Sequence, residues 1–195
     1  MKGQVMIILA VIVILVMFLI KIETTYLDQG VTGTYNTKVF ENLRNELKRA
    51  GEITTWKNNY TKVYDFSNFL KEKKDIGLFY SISDFNNSIL NITLANFLEE
   101  NIQDINVSQN LTDETKQISS ISEGGTDYVN FTWSGSETTF EVNITYKGST
   151  SGNITKEIFL AKAGPKRYVT VFYDLKLNYD SSYIRDRFSV SGETD

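Results

Sequence analysis

The chain has 195 residues, of which 41% are hydrophobic and 13% aromatic, and it carries a formal net charge of −4 with no Cys and no His. The missing residue types exclude disulfide bonds, Cys or His zinc sites, Cys nucleophiles and imidazole bases, so stability must come from a packed core. Once Lys2 and Lys21 are taken from the 20 Lys and Arg residues, 18 remain against 24 Asp and Glu. This acidic balance lacks the basic surface that binds nucleic acid, and we expect no nucleic-acid partner.

The N-terminus is dominated by an apolar run. Val5 to Ile20 contains no polar side chain, Gly or Pro, so a continuous helix could satisfy its own backbone in lipid. Its length of ~24 Å is somewhat less than the ~30 Å hydrocarbon core. Lys2 and the α-amine precede the run, which favours a cytoplasmic N-terminus. We therefore predict a hydrophobic helix over residues 4–22 that anchors the protein in a membrane through Val5–Ile20, with the body extracytoplasmic.

The residues in front of this run carry a family resemblance. Lys2, Gly3 and Gln4 open the apolar segment, and this arrangement resembles the class III signal peptide of archaeal type IV pilins and pseudopilin-like proteins. The resemblance implies a prepilin peptidase as a partner, cleavage after Gly3, and a leader of residues 1–3. It also implies that the helix packs against like or related subunits in a filament. Ile8 departs from the Glu that bacterial pilins carry, and an uncut signal anchor is the alternative.

Two amphipathic helices are predicted after a linker at residues 23–35, which contains Gly30 and Gly33. In the segment that follows, apolar side chains recur at helical spacing, at Val39, Phe40, Leu43, Leu47 and Ala50. Asn36 or Thr37 can cap the start of this helix and Gly51 can close it. A second, shorter helix is predicted from Asp65 to Lys74.

From Asp75 onward the hydrophobic period changes to two. Alternating runs are found at Ile76–Ile82, Leu90–Leu94, Asp104–Gln109, Tyr128–Trp133, Thr139–Tyr146, Thr155–Ala161, Tyr168–Leu177 and Tyr183–Val190. Short strands between Gly, Ser, Asn and Asp turns predict an antiparallel sandwich. The stretch Leu94–Ile105 also fits a helix. The predicted fold class is α+β: an N-terminal hydrophobic helix, one or two amphipathic helices, then a mostly antiparallel β-sandwich, with residues 36–195 as one domain.

The chain contains eight Asn-X-Ser/Thr triplets, which are candidate N-glycosylation sites on an external surface: Asn59, Asn86, Asn91, Asn106, Asn110, Asn130, Asn143 and Asn153. A second explanation needs no sugar. In a strand with one wet face, the first and third residues of a triplet point outward and the middle one inward. Polar and apolar residues that alternate in an Asn- and Thr-rich sheet would therefore create such triplets without selection for glycosylation.

Other candidate chemistry is weak. Acidic residues group at Glu99, Glu100 and Asp104, and again at Asp174, Asp180 and Asp186, but neither set has a diagnostic metal-binding spacing, so we expect no metal, no cofactor and no catalytic residues. Lys162, Lys166 and Arg167 flank Gly164-Pro165 and are predicted to lie on a hairpin. Late aromatic residues are expected to form core, with an exposed adhesive patch as the alternative: Tyr168, Phe172, Tyr173, Tyr179, Tyr183 and Phe188.

These patterns predict a non-enzymatic, structural pilin-like or pseudopilin-like subunit of a cell-surface filament or secretion assembly. The alternative is a monomeric, single-pass anchored ectodomain that binds a ligand or a surface. An anchored hydrolase would need Ser, Lys or acidic side chains that converge in a pocket.

Overall fold

The computed structural model describes residues 35–57, 59–73, 75–179 and 182–194. The chain divides into two compact units, Met1–Asn42 and Leu43–Asp195. Helix α1 covers residues 35–57 and helix α2 spans Thr61–Lys71. The strands within the described residues are β1 (Ile76–Asn86), β2 (Ile89–Phe97), β3 (Ile102–Gln109), β4 (Thr115–Ile121), β5 (Gly125–Thr132), β6 (Thr138–Gly148), β7 (Ile154–Ala163), β8 (Arg167–Tyr179) and β9 (Ser182–Thr194).

The strands form two antiparallel sheets. A five-stranded sheet has the order β5-β2-β1-β8-β9, and a four-stranded sheet has the order β4-β3-β6-β7. The core lies between them, because alternate side chains of each sheet point toward the other. It includes Phe79 and Phe172 of the five-stranded sheet, and Ile105, Phe140 and Phe159 of the four-stranded sheet. The two-sheet arrangement predicted from the period-two pattern is therefore present.

The second face of the five-stranded sheet is covered by helices. Tyr64 of α2 packs edge-on against Phe97 of β2, with ring centroids 6.3 Å apart. On the α1 side, Gly51 lies so close to Tyr173 that an added Cβ would be 2.9 Å from the Tyr173 hydroxyl oxygen. The central strands β1 and β8 are consequently buried on both faces over most of their length.

The predicted α+β fold class is wrong. Strand accounts for 57% of the described structure, and only two helices occur in the described residues. The strands run longer than the alternating patterns indicated, since turn residues such as Asn86 and Gly148 continue the ladders to their ends. Most of the structure is therefore antiparallel β-sheet.

The membrane prediction is also corrected. Neither helix in the described part of the chain is long and apolar enough to cross a membrane, because charged residues recur along both, as in TKVYDFSNFLK of α2. This finding contradicts the predicted transmembrane helix and membrane-anchored location. The predicted hydrophobic helix at residues 4–22, the leader at residues 1–3 and most of the linker at residues 23–35 lie outside the described residues.

Several local predictions needed adjustment. Helix α1 continues through Gly51 to residue 57, because Gly51 serves close packing against β8 rather than termination. Helix α2 begins at Thr61, four residues before the predicted start at Asp65. The ambiguous stretch Leu94–Ile105 is not helical: β2 ends at Phe97 and β3 begins at Ile102. Strand β4 was not predicted at all.

Candidate functional site

A groove on the helix-covered face of the five-stranded sheet is the candidate functional site. It has a volume of about 540 Å³ and lies where α2 leaves β2 and β5 uncovered. Four tyrosines line it together with polar residues, and we call it the tyrosine groove: Tyr60, Thr61, Tyr64, Tyr80, Ile82, Asp84, Asn91, Thr93, Thr126 and Tyr128. The volume falls within the range typical of sites for small molecules.

Two walls of the groove carry exposed aromatic rings. Tyr64 projects from α2 and is 44% exposed, while Tyr128 projects from the edge strand β5 and is 63% exposed. Tyr128 pairs with Thr93 of β2 across the ladder. The next residue of β5, Val129, points to the opposite face of the sheet and is buried. An exposed tyrosine on each side of a groove offers apolar ring surface to whatever enters it.

The floor is built by neighbouring strands in register. Asp84 of β1 stands opposite Asn91 of β2, and Ile82 stands opposite Thr93. Within the described residues, the side chains of Asn91, Thr93 and Thr126 form no hydrogen bond with any other residue. Their hydroxyl and amide groups can therefore donate to and accept from a ligand.

One end of the floor is fixed by a charge-neutral triad. Arg167 of β8 donates from Nε to Asp84 Oδ1 at 2.9 Å and from Nη2 to Oδ2 at 2.5 Å. Tyr60 donates its hydroxyl to Asp84 Oδ2 and accepts from Arg167 Nη2 at 3.0 Å. A carboxylate that accepts three hydrogen bonds and faces a guanidinium is held as a structural anion. The Asp84 carboxylate is thus fully engaged and not available as a general base.

Tyr60 and Tyr80 remain neutral at ordinary pH. Burial, followed by the hydrogen bond to Asp84, raises the pKa of the Tyr60 hydroxyl well above its usual value. Burial likewise raises the pKa of Tyr80. Neither hydroxyl can serve as a phenolate nucleophile under these conditions. The arrangement suits binding of an uncharged molecule by ring contact and hydrogen bonds.

A second polar feature joins the two sheets. Glu157 of β7 is completely buried, and Arg187 of β9 contacts both its oxygens, with Nε–Oε2 at 2.9 Å and Nη2–Oε1 at 3.0 Å. Arg185 contacts Asp174 of β8 through two nitrogens and also reaches Glu157 Oε1 at 3.1 Å. Burial and the nearby Asp174 raise the pKa of the Glu157 carboxyl to about 8. We call Glu157, Asp174, Arg185 and Arg187 the interlock.

The interlock borders a cavity of about 440 Å³ at one end of the sandwich, which Asp174, Arg185, Lys176 and Tyr146 help to line. Glu100 at its rim accepts hydrogen bonds from the backbone N–H groups of Thr150 and Ser151, both at 2.9 Å. These bonds tie a turn to the sandwich. Asp174 and Arg185 are thus engaged with each other, and Glu100 is engaged with the turn.

The predicted glycosylation residues have varied surroundings, and none is buried. Four lie within strands and have a buried residue next to them: Asn91, Asn106, Asn130 and Asn143. Asn59 precedes α2 and accepts from the Thr61 backbone N–H at 3.1 Å. Asn110 accepts from the Glu141 N–H at 2.8 Å, while Asn86 ends β1 and Asn153 lies just before β7. Their use as glycosylation sites stays a prediction, as does processing at Lys2, Gly3 and Gln4, which lie outside the described residues.

The acidic groups noted in the sequence do not come together as sites. Within the described part of the chain, no group of three or more Asp and Glu side chains is placed to hold a metal ion. Glu100 binds the turn described above, Asp174 belongs to the interlock, and Asp186 pairs with Arg44 at 2.5 Å. Asp180 lies outside the described residues.

The basic residues around Gly164-Pro165 do not decorate a hairpin. Strands β7 and β8 belong to different sheets, so the segment between them crosses from one sheet to the other. Arg167 was noted in the sequence but not assigned to a site, and it belongs to the Asp84 triad. The late aromatics Tyr168, Phe172 and Tyr173 are buried, whereas Tyr183 is exposed.

Sequence reasoning missed the groove because its tyrosines come from α2, β1, β5 and the turn before α2. One signal was available. Tyr128 occupies an outward position in an alternating run whose other outward residues are Thr126, Asn130 and Thr132, where a large aromatic ring is unexpected on a solvated face.

Comparison with known proteins gives no match to any protein-family model and none to the curated proteins.

Proposed function

We propose that this protein is a non-catalytic binding module that takes its ligand in the tyrosine groove. The observation that carries the proposal is the convergence of two exposed tyrosine rings over a floor of unengaged polar side chains. Convergent polar groups in a largely apolar groove are the usual composition of a binding site. Of the interpretations drawn from the sequence, the ligand-binding domain is the one that most resembles this proposal.

Binding rather than catalysis is favoured by how the groove's reactive groups are used. The Asp84 carboxylate is committed to Arg167 and Tyr60, and the Tyr60 hydroxyl has a raised pKa. General acid or base work needs a group whose pKa lies near the working pH and which is free to exchange a proton. The filament-subunit function implied by Lys2, Gly3 and Gln4 stays a prediction, which the mass of the native N-terminus would test.

The proposed function can be tested on the full chain labelled with 3-fluorotyrosine. Fluorine NMR reports each of the 11 tyrosines, and Tyr→Phe variants assign the signals of Tyr64 and Tyr128. We expect ligands from a fragment library to shift these two signals together. Tyr183 is the matched control, because it is similarly exposed (59%) and lies on β9, at the opposite edge of the same sheet. Fragments that shift Tyr183 but leave Tyr64 and Tyr128 unchanged would contradict the proposal.

A further inference from the structure

We infer that the ligand of the tyrosine groove is an uncharged saccharide, an inference that rests on the proposed function and names its ligand class. The first argument is charge. Asp84 is the only Asp, Glu, Lys or Arg among the groove-lining residues in the described part of the chain, and Arg167 neutralises it at 2.5 Å. A groove without net charge gives no attraction to phosphate, sulfate or ammonium groups.

The second argument is the match between ring surface and hydroxyl partners. A sugar ring has a face of C–H bonds, which packs on an aromatic ring, and a rim of hydroxyl groups, which both donate and accept hydrogen bonds. The groove offers Tyr64 and Tyr128 for the face. It offers the Thr93 and Thr126 hydroxyls and the Asn91 amide for the rim, and these groups also both donate and accept.

The third argument separates a saccharide from a proline-rich peptide, which also docks on aromatic grooves. Such a peptide presents backbone carbonyls and needs donors on the protein. The Tyr60 hydroxyl already donates to Asp84, and Tyr80 is buried. The remaining floor groups, two hydroxyls and one amide, both donate and accept. Carbonyls would use only their donors, whereas hydroxyl partners use both capacities.

The groove also bears on one candidate glycosylation site. Asn91 and Thr93, the first and third residues of a triplet, both line the floor. A sugar attached to Asn91 would occupy the space that a free saccharide needs. We therefore commit to a free saccharide as the ligand, with Asn91 unmodified in the native protein.

The test uses the full chain produced in a host that adds no N-linked sugars, screened against an array of neutral and acidic glycans. We expect binding to neutral glycans, with affinity measured by calorimetry. Tyr128→Ala should weaken it about fivefold, which corresponds to the roughly 1 kcal/mol that an aromatic contact contributes. Tyr128→Trp should retain binding, because the ring face remains. Tyr183→Ala, the matched control, should leave the affinity unchanged.

Four results would overturn the inference: selective binding of acidic glycans, no binding of any glycan, an affinity unaffected by Tyr128→Ala, or a native protein glycosylated at Asn91. A proline-rich peptide that shifts the fluorine signals of Tyr64 and Tyr128 would also overturn it, yet would support the groove as a binding site. If no compound shifts those signals, the proposed function fails as well.

Discussion

The Arg187 guanidinium contacts both carboxylate oxygens of Glu157 across the gap between the sheets, with Nε–Oε2 at 2.9 Å and Nη2–Oε1 at 3.0 Å. The carboxylate belongs to the edge strand of the four-stranded sheet and the guanidinium to the edge strand of the five-stranded sheet. Because Glu157 is completely buried, its charged form depends on this partner and on Arg185. A buried carboxylate that loses a partner is costly, whereas the intact pair contributes little net stability.

We predict that Arg187→Met lowers the free energy of unfolding by about 2 kcal/mol at pH 9, where the Glu157 carboxyl is ionised. Urea denaturation of the full chain measures this. Lys116→Met is the control, because the Lys116–Glu114 pair is exposed on both sides and such pairs contribute ~1 kcal/mol or less. Equal losses of unfolding free energy in the two variants would show that the burial of Glu157 does not increase the cost of removing its partner.

The raised pKa of Glu157 predicts a pH dependence of stability. An unfolded Glu titrates near 4.5, while the folded protein holds the proton up to about pH 8. Between these values the folded state binds more protons than the unfolded state, so stability should fall as the pH rises from about 5 to 8. The groups that face Glu157 are Arg185, Arg187, Asp174 and Tyr146.

Thermal unfolding at several pH values tests this dependence, with Glu157→Gln as the comparison. The amide has nearly the same shape and does not titrate, so its curve should be flatter over this range. A wild-type protein that gains stability from pH 5 to 8, while Glu157→Gln does not, would give the opposite sign and disprove the prediction.

Tyr173 predicts a stabilising substitution. Its side chain is fully buried, and its hydroxyl has no hydrogen-bond partner among the described residues. Removal of an unsatisfied buried polar group avoids its desolvation penalty, so Tyr173→Phe should stabilise the fold by about 1 kcal/mol. Tyr80 stands opposite Tyr173 in the ladder, but its hydroxyl is not among the buried polar atoms without a partner. Tyr80→Phe, measured in the same urea titration, should therefore bring no such gain in stability.

Gly51 predicts an energetic coupling with the same tyrosine. A Cβ at this position would lie 2.9 Å from the Tyr173 hydroxyl oxygen and 3.3 Å from Val190 Cβ. Overpacking costs about 1–3 kcal/mol, against a gain of about 1 kcal/mol for Ala over Gly within a helix. We expect Gly51→Ala to be destabilising by about 1 kcal/mol alone and less so beside Tyr173→Phe. A double-mutant cycle measures the difference, and additive effects would exclude the contact.

Local periodicity was enough to predict most of the strands. The runs Thr139–Tyr146 and Tyr168–Leu177 lie inside β6 and β8, because one side of each strand must enter the core and so alternates. Strand β4 escaped prediction because its apolar residues, Ile118 and Ile121, are three apart. As an edge strand it contributes few side chains to the core, so its pattern is weak.

The groove and the interlock could not be predicted in the same way. Asp84 and Arg167 are 83 residues apart in sequence, and only the pairing of β1 with β8 brings them together. The burial of Glu157 could have been suspected from the sequence, because Glu157 falls on the inward side of the predicted strand Thr155–Ala161, between Thr155 and Phe159. Its partners on β9 could not be inferred, because nothing local specifies which sheet edges meet.

The strand order also has a consequence for how the chain folds as it is synthesised. Strand β8 pairs with β1 over the register from Ile76–Leu177 to Phe85–Tyr168, although almost the whole domain separates them in sequence. The centre of the five-stranded sheet therefore stays open until β8 has left the ribosome. Such nonlocal pairing slows folding, because the long loop must close before the contacts form. A chain truncated before Arg167 would expose the unpaired edge of β1, where other strands can add and aggregation can begin.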